Sequence, residues 1–135
     1  MKKIGKQTIS FEEPPVIVEA ASIVGPKEAN GPMAKYFDKC LDDEFWGEKS
    51  WEKAESKIVK ETVNMVISKS KIAQTDIDYI FAGDLLGQLI ATSFGVEELE
   101  IPLFGLYGAC STCGESLTLG VISIAGGFAE TAVCV

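Results

Sequence analysis

The sequence contains no histidine. Histidine is the usual base beside a catalytic cysteine or serine and the commonest zinc ligand, so the simplest forms of both sites are excluded. The four cysteines, Cys40, Cys110, Cys113 and Cys134, lack the spacing of a disulfide framework, which favours a reducing compartment. Zinc binding is disfavoured because Cys110 and Cys113 have no second pair to complete four ligands.

Positive charge and long apolar runs are also scarce. The formal net charge of −8 argues against general binding to nucleic acid or to an anionic membrane surface. No apolar run is long enough to cross a bilayer, and the basic residues 1–7 lack the apolar core of a signal peptide. What the chain does have is 47% hydrophobic residues over 135 positions, which is enough for one domain with a core.

Apolar patterns that alternate between strand and helix character predict an α/β fold. The alternation favours a mainly parallel sheet, covered by helices and joined by right-handed crossovers. Residues 1–15 are polar, contain Pro14-Pro15 and predict an N-terminal arm. The predicted strands cover residues 16–24, 79–82, 101–107 and 131–135, and the predicted helices cover residues 34–41, 50–69, 85–94 and 117–125.

Two of these segments carry sharper expectations. The run 16–24 is nearly all apolar, which predicts a strand covered on both faces. The long helix should be capped by Ser50 and bury a stripe containing Ala54, Ile58, Met65 and Val66. The sequence ends inside a predicted strand, so we expect residues 16–135 to form the N-terminal half of a larger domain.

The turn around Cys110 joins a predicted strand directly to a predicted helix. Gly108 and Ala109 permit a tight turn, and Thr112 and Glu115 have the spacing of a capping box. Cys110 should therefore lie at the top of a strand, just before a helix N-terminus. Free N–H groups there attract anions and lower the pKa of a thiol.

Three interpretations of Cys110 remain open at this point. It is an inert buried thiol, or half of a redox pair with Cys113, or a nucleophile or ligand contact. The spacing of Cys110 and Cys113 suits disulfide exchange, although no aromatic residue precedes Cys110.

Asp84 is the second candidate site residue. A carboxylate at the C-terminal end of a buried strand faces the crevice where open α/β sheets bind ligands. The alternative is that Asp84 caps the helix predicted to follow it, and Gln88, one turn later, could share either role. Lys27, in a predicted loop, could meet an anionic ligand or be solvated.

These residues resemble a known family. The turn from Gly108 to Thr112, with Glu115-Ser116-Leu117 after it, resembles the nucleophile turn of the thiolase and ketoacyl-synthase superfamily. More narrowly, nearly the whole chain resembles the stage V sporulation protein AD family. The matching motifs are Gly5-Lys6-Gln7-Thr8, Gly25-Pro26-Lys27-Glu28, Gly31-Pro32, Phe37-Asp38-Lys39, Trp51-Glu52, Ala54-Glu55, Asp76-Ile77-Asp78, Ala82-Gly83-Asp84-Leu85-Leu86 and Gly126-Gly127-Phe128-Ala129.

The resemblance implies a thiolase-like fold, of which this chain would supply the N-terminal half. It implies binding of dipicolinic acid (pyridine-2,6-dicarboxylate) for uptake into the developing spore, together with other proteins of the same operon. The location implied is peripheral, at the spore inner membrane, and the superfamily's usual state implies a homodimer.

In the family's pocket, Cys110 and Asp84 match a cysteine and an aspartate, and Gln88 and Ser111 adjoin them. Gly87 departs from the pattern because it stands where we expect an asparagine. Asp84 would repel a dianion unless a proton or a cation intervenes, and a calcium chelate of dipicolinate would supply that cation. The alternative function is acyl transfer with Cys110 as the nucleophile. A chain without histidine lacks the base for acyl transfer, so we expect no enzymatic turnover. We also expect no cofactor and no metal centre.

Overall fold

A computed structural model describes residues 2–135. It is an α/β structure, as the sequence predicts, with short sheets and four α-helices. The strands are β1 (Lys2–Ile4), β2 (Thr8–Ser10), β3 (Ile23–Val24), β4 (Lys39–Cys40), β5 (Tyr79–Ala82), β6 (Leu103–Gly105) and β7 (Ala132–Cys134). The helices are α1 (Pro26–Ala29), α2 (Trp51–Ser70), α3 (Ile90–Val96) and α4 (Thr112–Ala125), and single 3₁₀ turns lie at Ala34–Tyr36, Gln74–Asp76, Glu97–Leu99 and Ala109–Ser111.

The main sheet has three parallel strands in the order β6-β5-β7. The central strand β5 is buried and pairs Ala82 with Gly105 of β6 and Ile80 with Val133 of β7. The parallel sheet is therefore confirmed. Two small sheets lie apart from it: an antiparallel β1-β2 hairpin within the predicted arm, and a parallel β3-β4 pair.

The two faces of the main sheet are covered by different helices. Ile80 and Ala82 belong to a buried cluster that includes Val59 and Val63 of α2 and Val96 of α3. On the other face, the ring of Phe81 approaches Gly120 of α4 and stacks on Phe104, with 5.1 Å between ring centroids. Alternate side chains of β5 are thus buried on opposite faces of the sheet, which is why its sequence is a continuous apolar run.

The long helix agrees closely with its prediction. Ser50 is its N-cap, and the Ser50 hydroxyl accepts a hydrogen bond from the Lys53 amide at 3.3 Å. The buried stripe is rotated slightly from the expected one. Ala54 is buried as predicted, while Val59 and Val63, rather than Ile58, Met65 and Val66, complete the fully buried positions.

The predicted strand over residues 16–24 is wrong for most of its length. Only Ile23–Val24 forms a strand, and Val16 and Ile17 are 78% and 79% exposed instead of covered on both faces. The preceding residues are held by side chains instead, since Lys69 donates to the Ala20 carbonyl at 2.6 Å and to Asp38 at 2.7 Å. An apolar run is a strand only where another strand supplies its hydrogen-bond partners.

Three predicted helices are also corrected. Residues 34–41 form a 3₁₀ turn followed by β4, because Lys39 and Leu41 donate their amides to Ser22 and Val24 across the small sheet. The helix predicted from residue 85 begins only at Ile90, because Gln88 and Leu89 have left-handed backbones, with φ of 52° and 76°. The helix predicted at residues 117–125 begins earlier, at Thr112.

Candidate functional site

Asp84 and Cys110 lie in connections that leave the same edge of the main sheet. Asp84 follows β5, and Cys110 follows β6. These strands are parallel neighbours in register at their carboxyl ends, where Ala82 pairs with Gly105. Ligand sites of open α/β sheets lie at this edge, and both residues lie where the sequence analysis places them, after neighbouring strands.

Gly83 brings the two connections into contact. A Cβ atom at this position would lie 2.0 Å from the Leu106 carbonyl oxygen and 2.7 Å from the Thr112 side chain. Both distances are far below a van der Waals contact, so only glycine fits. The backbone after β5 therefore packs directly on the start of α4.

Asp84 is turned into the protein and organises its own loop. It is only 6% exposed, and its carboxylate accepts hydrogen bonds from the amides of Gly87 (3.4 Å), Leu89 (3.1 Å) and Thr92 (2.8 Å). Burial alone would raise the pKa of Asp84, but the hydrogen bonds, led by that from Thr92, lower it. The capping alternative is therefore what the structure shows: Asp84 satisfies free N–H groups at and before the start of α3.

Gln88 lies on the surface of this loop. Its side chain is exposed, and its left-handed backbone is followed by that of Leu89, whose side chain packs over Gly105 of β6. The loop is thus fixed at both ends, by Asp84 inside and by Leu89 against the sheet, while Gln88 faces outward. Sequence reasoning missed Thr92, which is fully buried and whose amide makes the shortest bond to Asp84.

The turn that carries Cys110 is short and open. Ala109 has φ of 50°, a conformation that non-glycine residues rarely adopt. The Ser111 hydroxyl donates to the Gly108 carbonyl at 2.6 Å and lies 2.5 Å from Glu115 Oε1. Because one hydroxyl carries one proton, these two acceptors compete for it. Cys110 itself is exposed, which excludes the inert buried thiol in this structure.

The predicted capping box is wrong. Ser111, not Thr112, is the N-cap of α4, and its side chain makes no capping bond to the helix. The Thr112 hydroxyl instead accepts from the Gly108 amide at 3.3 Å. The first amides of α4 therefore lack a side-chain cap, and the positive end of its dipole lies beside Cys110.

A shallow, open concavity lies at this helix end, and Cys110 and Ser111 both line it. It is lined by Cys110, Ser111, Gly114, Glu115, Thr118 and Leu119. Asp84 and Gln88 do not line it. The four predicted site residues therefore form two pairs in adjacent connections, and Glu115 adds a carboxylate to the pair around the cysteine.

All four cysteines are free thiols. Cys134 is partly buried against α4, where its Sγ atom lies 3.3 Å from the Ser116 carbonyl oxygen. Burial raises the pKa of Cys134, and neighbouring Cys113 raises it further. Within residues 2–135, no cluster of three or more histidine, cysteine, aspartate or glutamate side chains is placed to hold a metal ion. Lys27 is the first-turn lysine of α1 rather than a loop residue.

A second, more enclosed groove lies away from these residues. It has a volume of 480 Å³ and is bordered by residues 15–21, by one side of α2 and α4, and by the open edge of β7. Val16 and Ile17 line it, and none of the predicted site residues does. It is mainly apolar, and the charged residues among its lining, Glu19 and Glu130, are both acidic, so they would not orient a small anion.

The geometry defines a class of protein: an α/β domain with an exposed cysteine at a helix N-terminus, on the carboxyl edge of a parallel sheet. The family model for stage V sporulation protein AD matches residues 5–135. Stage V sporulation protein AD of Bacillus subtilis (strain 168) is 39% identical over 133 residues, covering 98% of this chain and 39% of that relative. The chain therefore belongs to the stage V sporulation protein AD family, and the resemblance noted in its motifs is confirmed at this level.

Family membership implies a role in sporulation. The chain spans 39% of the length of the curated relative it matches. Over residues 2–135, none of the helices combines the length and apolar character that crossing a bilayer requires.

Proposed function

We propose that this chain forms part of a binding site for dipicolinic acid and serves its uptake into the developing spore. The observation that carries the proposal is the exposed Cys110–Ser111 pair at the N-terminal end of the 14-residue helix α4. Dipicolinate is a flat dianion, and the positive end of a helix dipole favours one of its carboxylates. The Ser111 hydroxyl can donate its one proton to the ligand if it leaves both the Gly108 carbonyl and Glu115.

Charge favours a calcium chelate over the bare dianion. Glu115 lines the concavity, and Asp84, whose lowered pKa keeps it ionised, lies in the adjacent loop. Two carboxylates would repel a dianion. A calcium ion carried by the ligand cancels that repulsion, so we take the chelate as the cargo.

The setting follows from the family resemblance. We propose that the fold is thiolase-like, that the protein works with other products of its sporulation operon, and that it lies peripherally at the spore inner membrane. The strand order β6-β5-β7, with the cysteine turn after an edge strand, is compatible with that fold.

The test is calorimetric titration of the complete protein with dipicolinate, with and without calcium. Cys110→Ala and Ser111→Ala should each weaken binding by about tenfold, an effect the size of one lost polar contact. Cys40→Ala, an exposed cysteine outside the concavity, is the matched control and should bind normally. Equal affinity in all four proteins would contradict the proposed site.

Acyl transfer is the second candidate, favoured by one observation. An exposed thiol beside a left-handed Ala109 resembles a strained nucleophile turn. We expect no turnover from this chain, since it has no histidine to act as base. Cysteine-dependent turnover of acyl-CoA or acyl-carrier substrates would overturn this expectation.

We also propose that the protein is a homodimer. Edge strand β6 pairs only with β5 among the described strands. Phe104 within β6 is 50% exposed, and Tyr107, which follows it, is 57% exposed. Apolar side chains on an open strand edge favour pairing with another chain. Light scattering should give at least a dimer mass, and a cooperatively melting monomer would contradict it.

A further inference from the structure

Two unpaired stretches of backbone border the enclosed groove beside β7. One is the outer edge of β7 itself, which pairs only with β5 among the described strands. The other is the irregular segment 15–21, which makes no backbone–backbone hydrogen bond within residues 2–135. Unpaired backbone at a sheet edge is a template for a further strand. Two such stretches lining one groove therefore indicate a strand as the occupant.

The backbone of Cys134 faces this groove. The next residue, Val135, donates its amide to the Phe81 carbonyl of β5 at 2.9 Å. Successive residues of a strand direct their N–H and C=O groups to opposite sides, so those of Cys134 point away from β5. Because Cys134 also lines the groove, both backbone groups are available to a strand laid alongside β7.

Two helices form the remaining walls. Val66 of α2 and Val121 of α4 are among the apolar residues that line the groove. These helices lie on opposite faces of β7, since Val133 packs against the buried cluster that includes α2, whereas Cys134 contacts α4. A strand that extends the sheet at this edge would lie between the helices with both faces buried. Such a strand is apolar throughout, as β5 is.

The segment opposite β7 has the composition of a strand but no partner on the groove side. Val16, Ile17 and Val18 are 78%, 79% and 62% exposed. The Lys69 ammonium of α2 fixes the end of this segment by donating to the Ala20 carbonyl at 2.6 Å. Pairing along the groove would cover the three apolar side chains and make the segment the strand that its sequence predicts.

We propose that the groove takes one β-strand, apolar on both faces, which pairs with β7 on one side and with residues 16–18 on the other. We assign this strand to the remainder of the family's longer polypeptide. The chain matches 39% of the length of the curated relative, and a strand on the same polypeptide has a high effective concentration. Glu19 and Glu130 at the border disfavour an acidic strand. Dipicolinate takes no part in this inference, which is independent of the proposed function.

Amide hydrogen exchange in the complete protein tests the pairing. The amides of residues 16–18 should exchange at least about a hundredfold more slowly than those of residues 11–13. Neither stretch has backbone hydrogen bonds in this structure, and residues 11–13 do not line the groove, so they are the internal control. Equal exchange, which an apolar small molecule in the groove would also leave, would overturn the proposal. Protection that rises with protein concentration would assign the strand to a second copy and overturn its assignment to the same polypeptide.

Cys134→Pro gives a second readout. It removes the N–H that faces the groove and leaves the hydrogen bonds between β7 and β5 in place. Proline is tolerated on a free strand edge but not between two paired strands. The complete protein with Cys134→Pro should therefore melt about 5 °C below Cys134→Ala, the matched control that loses the same thiol. Equal melting temperatures would show that this edge of β7 is free and would overturn the proposal.

Discussion

The two connections that leave the carboxyl edge of the main sheet use their polar residues in opposite ways. After β5, Asp84 is buried, and its carboxylate accepts hydrogen bonds from three backbone amides. After β6, Cys110 and Ser111 are exposed, and the amides at the start of α4 have no side-chain cap. The polar group of the first connection is therefore buried, and those of the second are exposed to solvent.

This contrast between Asp84 and Cys110 shows that position at a sheet edge does not by itself define a binding residue. Asp84 and Cys110 stand at equivalent places in the topology, so the same rule singles out both. What separates them is whether the polar group has already been satisfied inside the protein. Asp84 is therefore expected to act on a ligand mainly through the loop it holds, whereas Cys110 can touch one.

The largest effect should come from Gly83, where the two connections meet. We expect Gly83→Ala to destabilise the protein by about 3 kcal/mol, because its Cβ would overlap the Leu106 carbonyl oxygen and force the backbone apart. Chemical denaturation measures the change. Gly114→Ala is the control, since its Cβ meets nothing within 4 Å and alanine favours the helix. Equal stability of the two variants would show that the connections are not packed as described.

A smaller loss should follow removal of the Asp84 carboxylate. Asp84→Ala leaves three amides without their acceptor and should cost about 2 kcal/mol, measured by urea unfolding at pH 7. Asp84→Asn, which keeps one carbonyl oxygen, should lose less. If Asp84→Ala is as stable as the wild type, its hydrogen bonds do not order the loop.

The pH dependence of this stabilisation has a definite sign. The folded pKa of Asp84 is lowered, so its contribution is fully present above the pKa of an unfolded aspartate, about 3.9. It is lost as the pH falls through the folded value. The stability difference between the wild type and Asp84→Asn should therefore shrink on acidification below about pH 4, which denaturation at several pH values measures. A difference that grows in acid would contradict this assignment.

The smallest effect on stability should be at Cys110. Its side chain is exposed, so Cys110→Ala should change the free energy of unfolding by less than about 0.5 kcal/mol. The same variant is expected to weaken dipicolinate binding, which separates ligand contact from folding. A thermal melt beside the titration provides the measurement. Destabilisation as large as that of Asp84→Ala would erase the contrast between the two connections.

Much of the fold could be predicted from the sequence. The cap at Ser50, the helix after it and the buried strand Tyr79–Ala82 follow from local signals that tertiary packing reinforces. The predicted strand over residues 16–24 failed because strand formation needs a neighbour, and only Ile23–Val24 pair with one, at Lys39–Cys40. The helix predicted from residue 85 failed because Asp84 bonds the amides of Gly87 and Leu89 before the helix starts.

The sequence by itself determined the family, the alternation of strands and helices, and the placement of Asp84 and Cys110 after neighbouring strands. These properties depend on residue order and on periodicities of a few residues. Only the tertiary structure decided that Asp84 is buried and Cys110 exposed, and that Thr92 on α3 gives Asp84 its shortest hydrogen bond. Burial and hydrogen-bond satisfaction depend on which distant segments meet, and no local pattern encodes that.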